Sequence, residues 1–203
     1  SGYLEDYAFV IDAFLKLYQA TFDSSWLKEA DELTRYCMKN FLHEEEDMFY
    51  FSDSTRLIAR KKEIFDNVIP ASNSQMAINL YSLGKLLDKS EYSDLSNRML
   101  GRIQPMIGKY TSDLSNWAIL YGFHASPTAE VAIVGDQAET MRADFTRSYQ
   151  PNSLLMGAQG QSNYPPLMNG KVAVSGETTI YVCFNKTCKL PVHSVEEALK
   201  QIK

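Results

Sequence analysis

Two cysteines separated by four residues are the most reactive side chains that the sequence places close together. They are Cys183 and Cys188, within TIYVCFNKTCKLPV. A thioredoxin-type redox site has a Cys-X-X-Cys spacing at the start of a helix, where the thiolate pKa is lowered. Here the spacing is longer and Cys183 lies at the end of a predicted strand, which argues against redox catalysis.

A metal site is the second chemistry that this stretch suggests. Cys183, Cys188 and His193 could supply three ligands, but zinc needs four protein ligands, or three and a water, and no fourth is evident nearby. The strand position favours two structural thiols, while a disulfide and a metal site stay open. Three cysteines in 203 residues are too few for a disulfide framework. We therefore expect a cytoplasmic protein in a reducing compartment, without metal or cofactor.

Carboxylates form the next group of candidates. Glu5 and Asp6, in LEDYA, begin the first predicted helix. Acids in a first turn usually complement the helix dipole, but at the rim of a helical barrel they would meet a substrate. Asp66 lies in EIFDNVIPASNS, a loop that leads into the third helix. Paired carboxylates are the usual machinery of glycoside cleavage, so Glu5, Asp6 and Asp66 are the candidate catalytic residues.

The same loop carries short polar side chains around Pro70. They either form turns and helix caps or line a polar cavity that hydrogen-bonds sugar hydroxyls. Sugar rings also stack on aromatic side chains. The candidate substrate-binding residues are therefore Tyr7, Tyr50, Arg60 and Asn73.

The elements that must position these residues are helical over the first 122 residues. Residues 4–22 are apolar on most sides, which is typical of an inner helix, and the next helix, to about Leu42, is amphipathic. Further helices are predicted at 76–87 with a cap among residues 72–74, from Glu91, and after a cap at 111–113. The alternation indicates helical hairpins of a toroid or solenoid, without a repeat of fixed period.

The remaining segments contain strands. Residues 43–72 form a long connection with two strand-like pieces, FYF at 49–51 and RLIAR at 56–60. After residue 126, strands are predicted at 130–134, 152–156 and 179–184, with helices at 137–149 and after the Ser194–Glu197 capping box. The predicted fold is mainly α. It has helical hairpins of a partial (α/α) toroid over 1–125 and a small α/β module over 126–203.

Charge and hydropathy exclude two classes of partner. The net charge is −5 and no basic stripe is present, so we expect no nucleic-acid partner. No apolar run approaches the roughly 20 residues of a membrane span, so we expect no membrane partner.

Three segments resemble the C-terminal part of the YyaL-type family of thioredoxin-domain-containing proteins, which includes a vertebrate spermatogenesis-associated protein. They are LEDYAFVIDAFLKLYQATFDSSWLKEA, RLIARKKEIFDNVIPASNSQMAINLYSL and IYVCFNKTCKLPV. The family pattern D-G-x-x-P-S-G-N-S is similar to residues 66–74, where Asp66, Pro70, Asn73 and Ser74 match. Both glycines are replaced there, and Ala71 stands for the first serine. The tail pattern A-Y-V-C-x4-C-x-x-P matches at 181–183, 188 and 191.

The resemblance implies a six-hairpin (α/α) toroid, similar to those of glycosidases and N-acylglucosamine 2-epimerases, behind a thioredoxin-like domain. It implies that the chain lacks that domain and about the first half of the toroid. The thioredoxin-like domain and the remaining toroid helices are then its expected partners. Exposed inner-helix surface is expected to make the isolated chain self-associate.

Three functions are compatible with the sequence, and it does not decide whether the protein is an enzyme. The first is carbohydrate binding, or sugar hydrolysis or epimerisation, in the full-length protein. The second is a non-catalytic helical scaffold that serves the thioredoxin-like redox domain. The third is a structural fragment without activity of its own. Carbohydrate chemistry predicts acids that converge on one cavity, whereas a scaffold predicts an apolar groove without convergent carboxylates.

Overall fold

The computed structural model describes residues 2–54 and 60–202. It forms two compact units, one from Ser1–Lys16 and Ser25–Gly122, the other from Leu17–Ser24 and Phe123–Lys203. Within the described residues the fold is mainly α, as predicted. The seven helices there are α1 (Leu4–Thr21), α2 (Ser24–Phe41), α3 (Ser72–Leu86), α4 (Ser90–Ile107), α5 (Ser115–Ala125), α6 (Ala138–Phe145) and α7 (Val195–Ile202).

The first two helices of the first unit each bury one face. Helix α1 is buried along a single stripe at Leu4, Ala8, Ile11 and Leu15, while Val10 and Leu17 are exposed. The prediction that α1 is an inner helix, packed on more than one side, is therefore wrong. Helix α2 buries a single stripe that includes Cys37. Burial raises the pKa of the Cys37 thiol to about 12, so this cysteine is a core residue, as predicted.

Helix α3 is the most deeply buried element of this unit. Only Ile78, Ser82 and Lys85 within it are partly exposed. Its backbone approaches α4 closely, because a Cβ at Gly84 would lie 2.8 Å from the backbone nitrogen of Ser93. A side chain at position 84 would therefore push α3 and α4 apart.

The start of α3 differs from the prediction. Residues 72–74 lie inside the first turn, and the N-cap position is Ala71, whose side chain cannot cap the helix. A side chain from the preceding loop holds Ala71 instead, as described below. A short-range sequence pattern does not contain that information.

The connection before α3 is partly regular. Strand β1 (Leu42–His43) pairs antiparallel with β2 (Met48–Phe49) around a short 3₁₀ turn. The predicted FYF strand therefore begins one residue earlier and ends at Phe49. Residues 56–59 of the second strand-like piece, RLIAR, lie outside the described residues.

The second unit contains a four-stranded sheet in the order β4-β3-β5-β6. Strand β3 (Ala129–Val134) is parallel to β4 (Ser153–Ala158) and antiparallel to β5 (Thr179–Phe184), and β5 is antiparallel to β6 (Thr187–Cys188). Residues of β3 and β5 share an apolar cluster with residues of α6 and α7. Helix α6 ends at Phe145, four residues before the predicted end.

The second unit also contains a helix cap at α7 and a side-chain contact at the edge of its sheet. The predicted capping box opens α7, since the backbone nitrogen of Glu197 donates to Ser194 Oγ over 3.3 Å. The Gln19 side chain hydrogen-bonds to the outer backbone of β4, because Leu155 N donates to Gln19 Oε1. None of the helices in the described parts of the chain is long and apolar enough to span a membrane.

Candidate functional site

An open cleft of about 530 Å³ lies beside the loop that leads into α3. Two short segments form it, and the backbone nitrogen of Asp66 donates to the carbonyl of Asp113 across them over 2.7 Å. The lining residues are Phe65, Asp66, Asn67, Tyr110, Ser112 and Asp113. Of the short polar residues of this loop, Asp66 and Asn67 belong to the lining.

The Asp66 carboxylate is the structural centre of this loop. It is 8% exposed, and its Oδ1 accepts from Ala71 N (2.9 Å) and from Ser74 Oγ (2.7 Å). Its Oδ2 accepts from Asn116 N over 2.8 Å. Asp66 thus caps the first turn of α5 and also holds Ala71, the N-cap residue of α3. A carboxylate with three protein donors is committed to holding the loop and is poorly placed to exchange protons with a substrate.

Part of the cleft lining is aromatic. The rings of Phe65 and Tyr110 meet edge to face, with centroids 5.9 Å apart and planes at 73°. The ammonium of Lys109 lies 5.1 Å from the Tyr110 centroid. Trp117 Nε1 donates to the carbonyl of Ile64 over 2.8 Å, which fixes the backbone next to Phe65. The cleft therefore combines a held aromatic pair with an amide, a hydroxyl and the exposed carboxylate of Asp113.

Asn73, a predicted substrate-binding residue, is fully buried and engaged with the protein. Its Nδ2 donates to the carbonyls of Phe49 and Glu63, both over 2.9 Å. Its Oδ1 accepts from Phe49 N over 2.7 Å. These bonds join α3 to β2 and to the loop before it, so the structure places the Asn73 amide in a buried network.

The other residues predicted near the N-terminus form a separate group. Tyr7 stacks on Tyr36 with a centroid distance of 5.2 Å. The pKa of Tyr7 is raised, mainly by its hydrogen bond with Tyr36 and to a smaller extent by burial. Glu5 is half-buried and Asp6 is exposed in the first turn of α1. Among the described residues that line the cleft, Asp66 is the one predicted catalytic acid.

Tyr50 and Arg60, which were expected to complete a site with the Asp66 loop, contact each other in a cluster that shares no residue with the cleft lining. The guanidinium carbon of Arg60 lies 3.8 Å from the Tyr50 centroid, and Lys62 Nζ lies 4.8 Å from it. Lys62 Nζ donates to Glu46 Oε2 over 2.6 Å, and this bond lowers the pKa of Glu46. Arg60 and Lys62, the two cations on this ring, are therefore mainly engaged in contacts within the protein.

Sequence reasoning did not select Tyr110, Ser112 and Asp113 as site residues. They were expected only to precede and cap the fifth helix. Their position in the cleft depends on pairing with residues more than forty positions earlier in the chain, which periodicity does not show. The nearest local signal was the aromatic side chain of Tyr110 directly before the cap.

The two cysteines of the C-terminal hairpin are joined by a disulfide. The interpretation as two unpaired thiols is therefore wrong in this structure. Strands β5 and β6 connect through Asn185 and Lys186 alone, and this register sets Cys183 directly opposite Cys188. Because each sulfur is bonded to the other, the proposed Cys-Cys-His metal site is also absent here. Over residues 2–54 and 60–202, no group of three or more His, Cys, Asp or Glu could hold a metal ion.

Comparison with known proteins identifies relatives that match this chain over part of their own length. No protein-family model matches the chain. The chain is 28% identical to spermatogenesis-associated protein 20 of Rattus norvegicus and of Homo sapiens, over 94% of this chain and 26% of each relative. It is 23% identical to an uncharacterised Caenorhabditis elegans protein, over 97% of this chain and 28% of that protein. These matches confirm the resemblance to spermatogenesis-associated proteins, and the chain spans about a quarter of their length.

Proposed function

We propose that this chain is part of a helical (α/α) toroid whose cleft binds a carbohydrate, without itself supplying a catalytic acid–base pair. The observation that carries the proposal is the cleft lining, in which the Phe65–Tyr110 pair adjoins the short polar side chains of Asn67, Ser112 and Asp113.

The lining matches the two chemical faces of a sugar. The C–H face of a pyranose packs on an aromatic ring, while its hydroxyls need both donors and acceptors. Asn67 offers both, Ser112 offers both, and Asp113 offers acceptors. The cleft volume of about 530 Å³ falls within the roughly 300–1,000 Å³ of small-molecule sites.

The proposal is limited to binding because of the carboxylates. Glycoside cleavage usually needs two of them flanking the bond. Asp66 is occupied by three donors, and Glu5 and Asp6 are not part of the lining. Sugar hydrolysis or epimerisation in the full-length protein would draw at least one acid from outside this chain.

The toroid part of the proposal is supported by the burial pattern. Helix α3 is buried on several sides, whereas α4, which packs against it, buries one stripe. Inner and outer helices alternate in this way in a ring of hairpins. Relatives about four times as long leave room for the remaining toroid helices and for a thioredoxin-like domain.

A second candidate is a docking scaffold for that thioredoxin-like domain. The loop beside the cleft exposes large apolar side chains, with Val68 96%, Ile69 52% and Phe65 45% exposed. Exposed apolar groups of this kind mark interaction surfaces when they are contiguous. A Val68→Ser, Ile69→Ser double variant would lose binding to the remainder of the full-length protein and retain sugar binding.

The test is a glycan screen on the 203-residue chain followed by titration of the hits. Tyr110→Ala and Asp113→Asn are each expected to weaken binding about tenfold or more, the equivalent of about 1.4 kcal/mol. Tyr121→Ala is the matched control, because Tyr121 is an exposed tyrosine that does not line the cleft. Absence of any millimolar or tighter hit, or an equal loss in the control, would overturn the proposal.

A further inference from the structure

The disulfide of the second unit has two unequal sulfurs. Cys183 is 1% exposed, and it lies between the backbones of β3 and β6. Cys188 is exposed and belongs to β6, the outermost strand of the sheet. A nucleophile attacks a disulfide along the S–S axis. Cys188 lies on the edge strand and is open to solvent, whereas Cys183 is covered and has β3 on its other side.

The hairpin that carries this disulfide is short. Strand β6 has two residues, and both turn residues have positive φ, 49° at Asn185 and 66° at Lys186. Asparagine tolerates this conformation, but lysine does not favour it. Lys189 N donates to the Val182 carbonyl, and Lys186 N donates to the side chain of Glu130. The crosslink therefore keeps a conformationally unfavourable turn closed.

We propose that the Cys183–Cys188 disulfide is a thiol-exchange site, attacked at Cys188 by a dithiol, and that its reduction releases β6 from β5. This inference is independent of the proposed carbohydrate site.

The exchange proceeds in two balanced steps. A thiolate of the dithiol attacks Cys188 Sγ, the Sγ–Sγ bond breaks, and its electron pair stays on Cys183 Sγ. Burial disfavours a thiolate there, so Cys183 takes up a proton from solvent. The second thiol of the dithiol, as thiolate, then attacks the dithiol sulfur that is bonded to Cys188 Sγ. That bond breaks, and Cys188 leaves as a thiolate. The dithiol is oxidised to a disulfide, and both cysteines are reduced.

Release of β6 changes the edge of the sheet. In the oxidised hairpin, β6 and the residues after it cover the outer backbone of β5 from Val182 to Phe184. After reduction, the unfavourable turn favours an open hairpin, and this backbone becomes available for pairing with another strand. The bridge between Ile180 and Val192 holds the far end of β5 in either state.

The first experiment locates the attacked sulfur. The native chain is treated briefly with glutathione, the reaction is stopped by acid, and adducts are mapped by mass spectrometry. Glutathione is expected on Cys188 at least tenfold more often than on Cys183. Cys37, which is buried, serves as an internal control for unfolding because it reacts only when the protein opens. Equal adducts on both sulfurs, adducts only together with Cys37 modification, or free thiols at both positions in untreated protein would overturn the proposal.

Release of the hairpin is tested by limited trypsin digestion. Cleavage after Lys186 and Lys189 is expected to be at least tenfold faster after dithiothreitol treatment. The Cys183→Ser, Cys188→Ser double variant is expected to match the reduced chain without any reductant. Cleavage rates that do not change on reduction would show that the disulfide holds nothing closed.

Discussion

The loop before α3 and the β5–β6 hairpin are both short segments with reactive side chains, and they use those side chains in opposite ways. In the loop, the Asp66 carboxylate has three protein donors and is almost completely buried. In the hairpin, Cys188 is exposed at the edge of a sheet. The residue that resembled a catalytic acid is a structural cap, and the pair that resembled structural thiols offers an accessible disulfide. Partners and exposure decide the role of a side chain more than its type does.

The largest expected effect comes from removing the Asp66 cap. Asp66→Ala leaves the backbone N–H groups of Ala71 and Asn116 without this acceptor in a buried site, whereas Ser74 Oγ keeps the Ala71 carbonyl. We expect a loss of about 3 kcal/mol in the free energy of unfolding. Urea denaturation measures this loss. Asp113→Ala, at an exposed carboxylate of the same cleft, is expected to stay within about 0.5 kcal/mol of the parent chain. If Asp66→Ala were as stable as Asp113→Ala, Asp66 would not be a structural cap.

A smaller effect is expected in the hairpin. Replacing both Cys183 and Cys188 by serine removes a crosslink over a very short loop, worth about 2 kcal/mol. The loss should be local, so amide exchange of β6 and the turn should accelerate roughly 30-fold. Residues of α3 report on the first unit and should exchange as before. Acceleration throughout the chain would mean that the disulfide stabilises the whole fold.

A third carboxylate gives the smallest effect and a pH dependence. Asp47 accepts from Arg98 (2.8 Å) and Arg102 (3.2 Å), which are both half-exposed. The Arg98 hydrogen bond, more than the other causes, lowers the Asp47 pKa from 3.8. The ion pair should therefore stabilise the fold above about pH 4 and lose this contribution as pH falls through the lowered pKa.

Solvent screening limits the Asp47 contribution to about 1 kcal/mol or less. Asp47→Asn should be less stable than the parent chain at pH 7 and equally stable near pH 2, as measured by urea denaturation at each pH. A difference that persists at pH 2 would show that the effect does not come from the charge of Asp47.

Short-range sequence patterns predicted the elements well. Apolar spacing at Leu4, Ala8, Ile11 and Leu15 predicted helix α1, and the Ser194–Glu197 capping box predicted the start of α7. These signals are local, because a helix turn or a cap involves residues three or four apart.

The candidate site was predicted only in part, because its geometry depends on long-range pairing. Asp66 and Asn67 of the selected loop line the cleft, while Asn73 and Ser74 are buried in contacts within the protein. The aromatic and carboxylate partners at Tyr110 and Asp113 reach it through the backbone bond between Asp66 and Asp113. The Asp66 cap on α5 also joins residues fifty positions apart. The disulfide was an open alternative, since its formation depends on a two-residue turn at Asn185 and Lys186 that lacks the glycine usual in such turns.

The most direct test of the proposed cleft is a chemical-shift titration of the isotope-labelled chain with the tightest glycan from the screen. Saturable shifts are predicted for residues 65–67 and 110–113, with the Tyr110 ring showing the largest change. The shifts should vanish in Tyr110→Ala and persist in Tyr121→Ala. Shifts centred on the Tyr50–Arg60 cluster, or on the first turn of α1, would contradict the assignment of the cleft as the carbohydrate site.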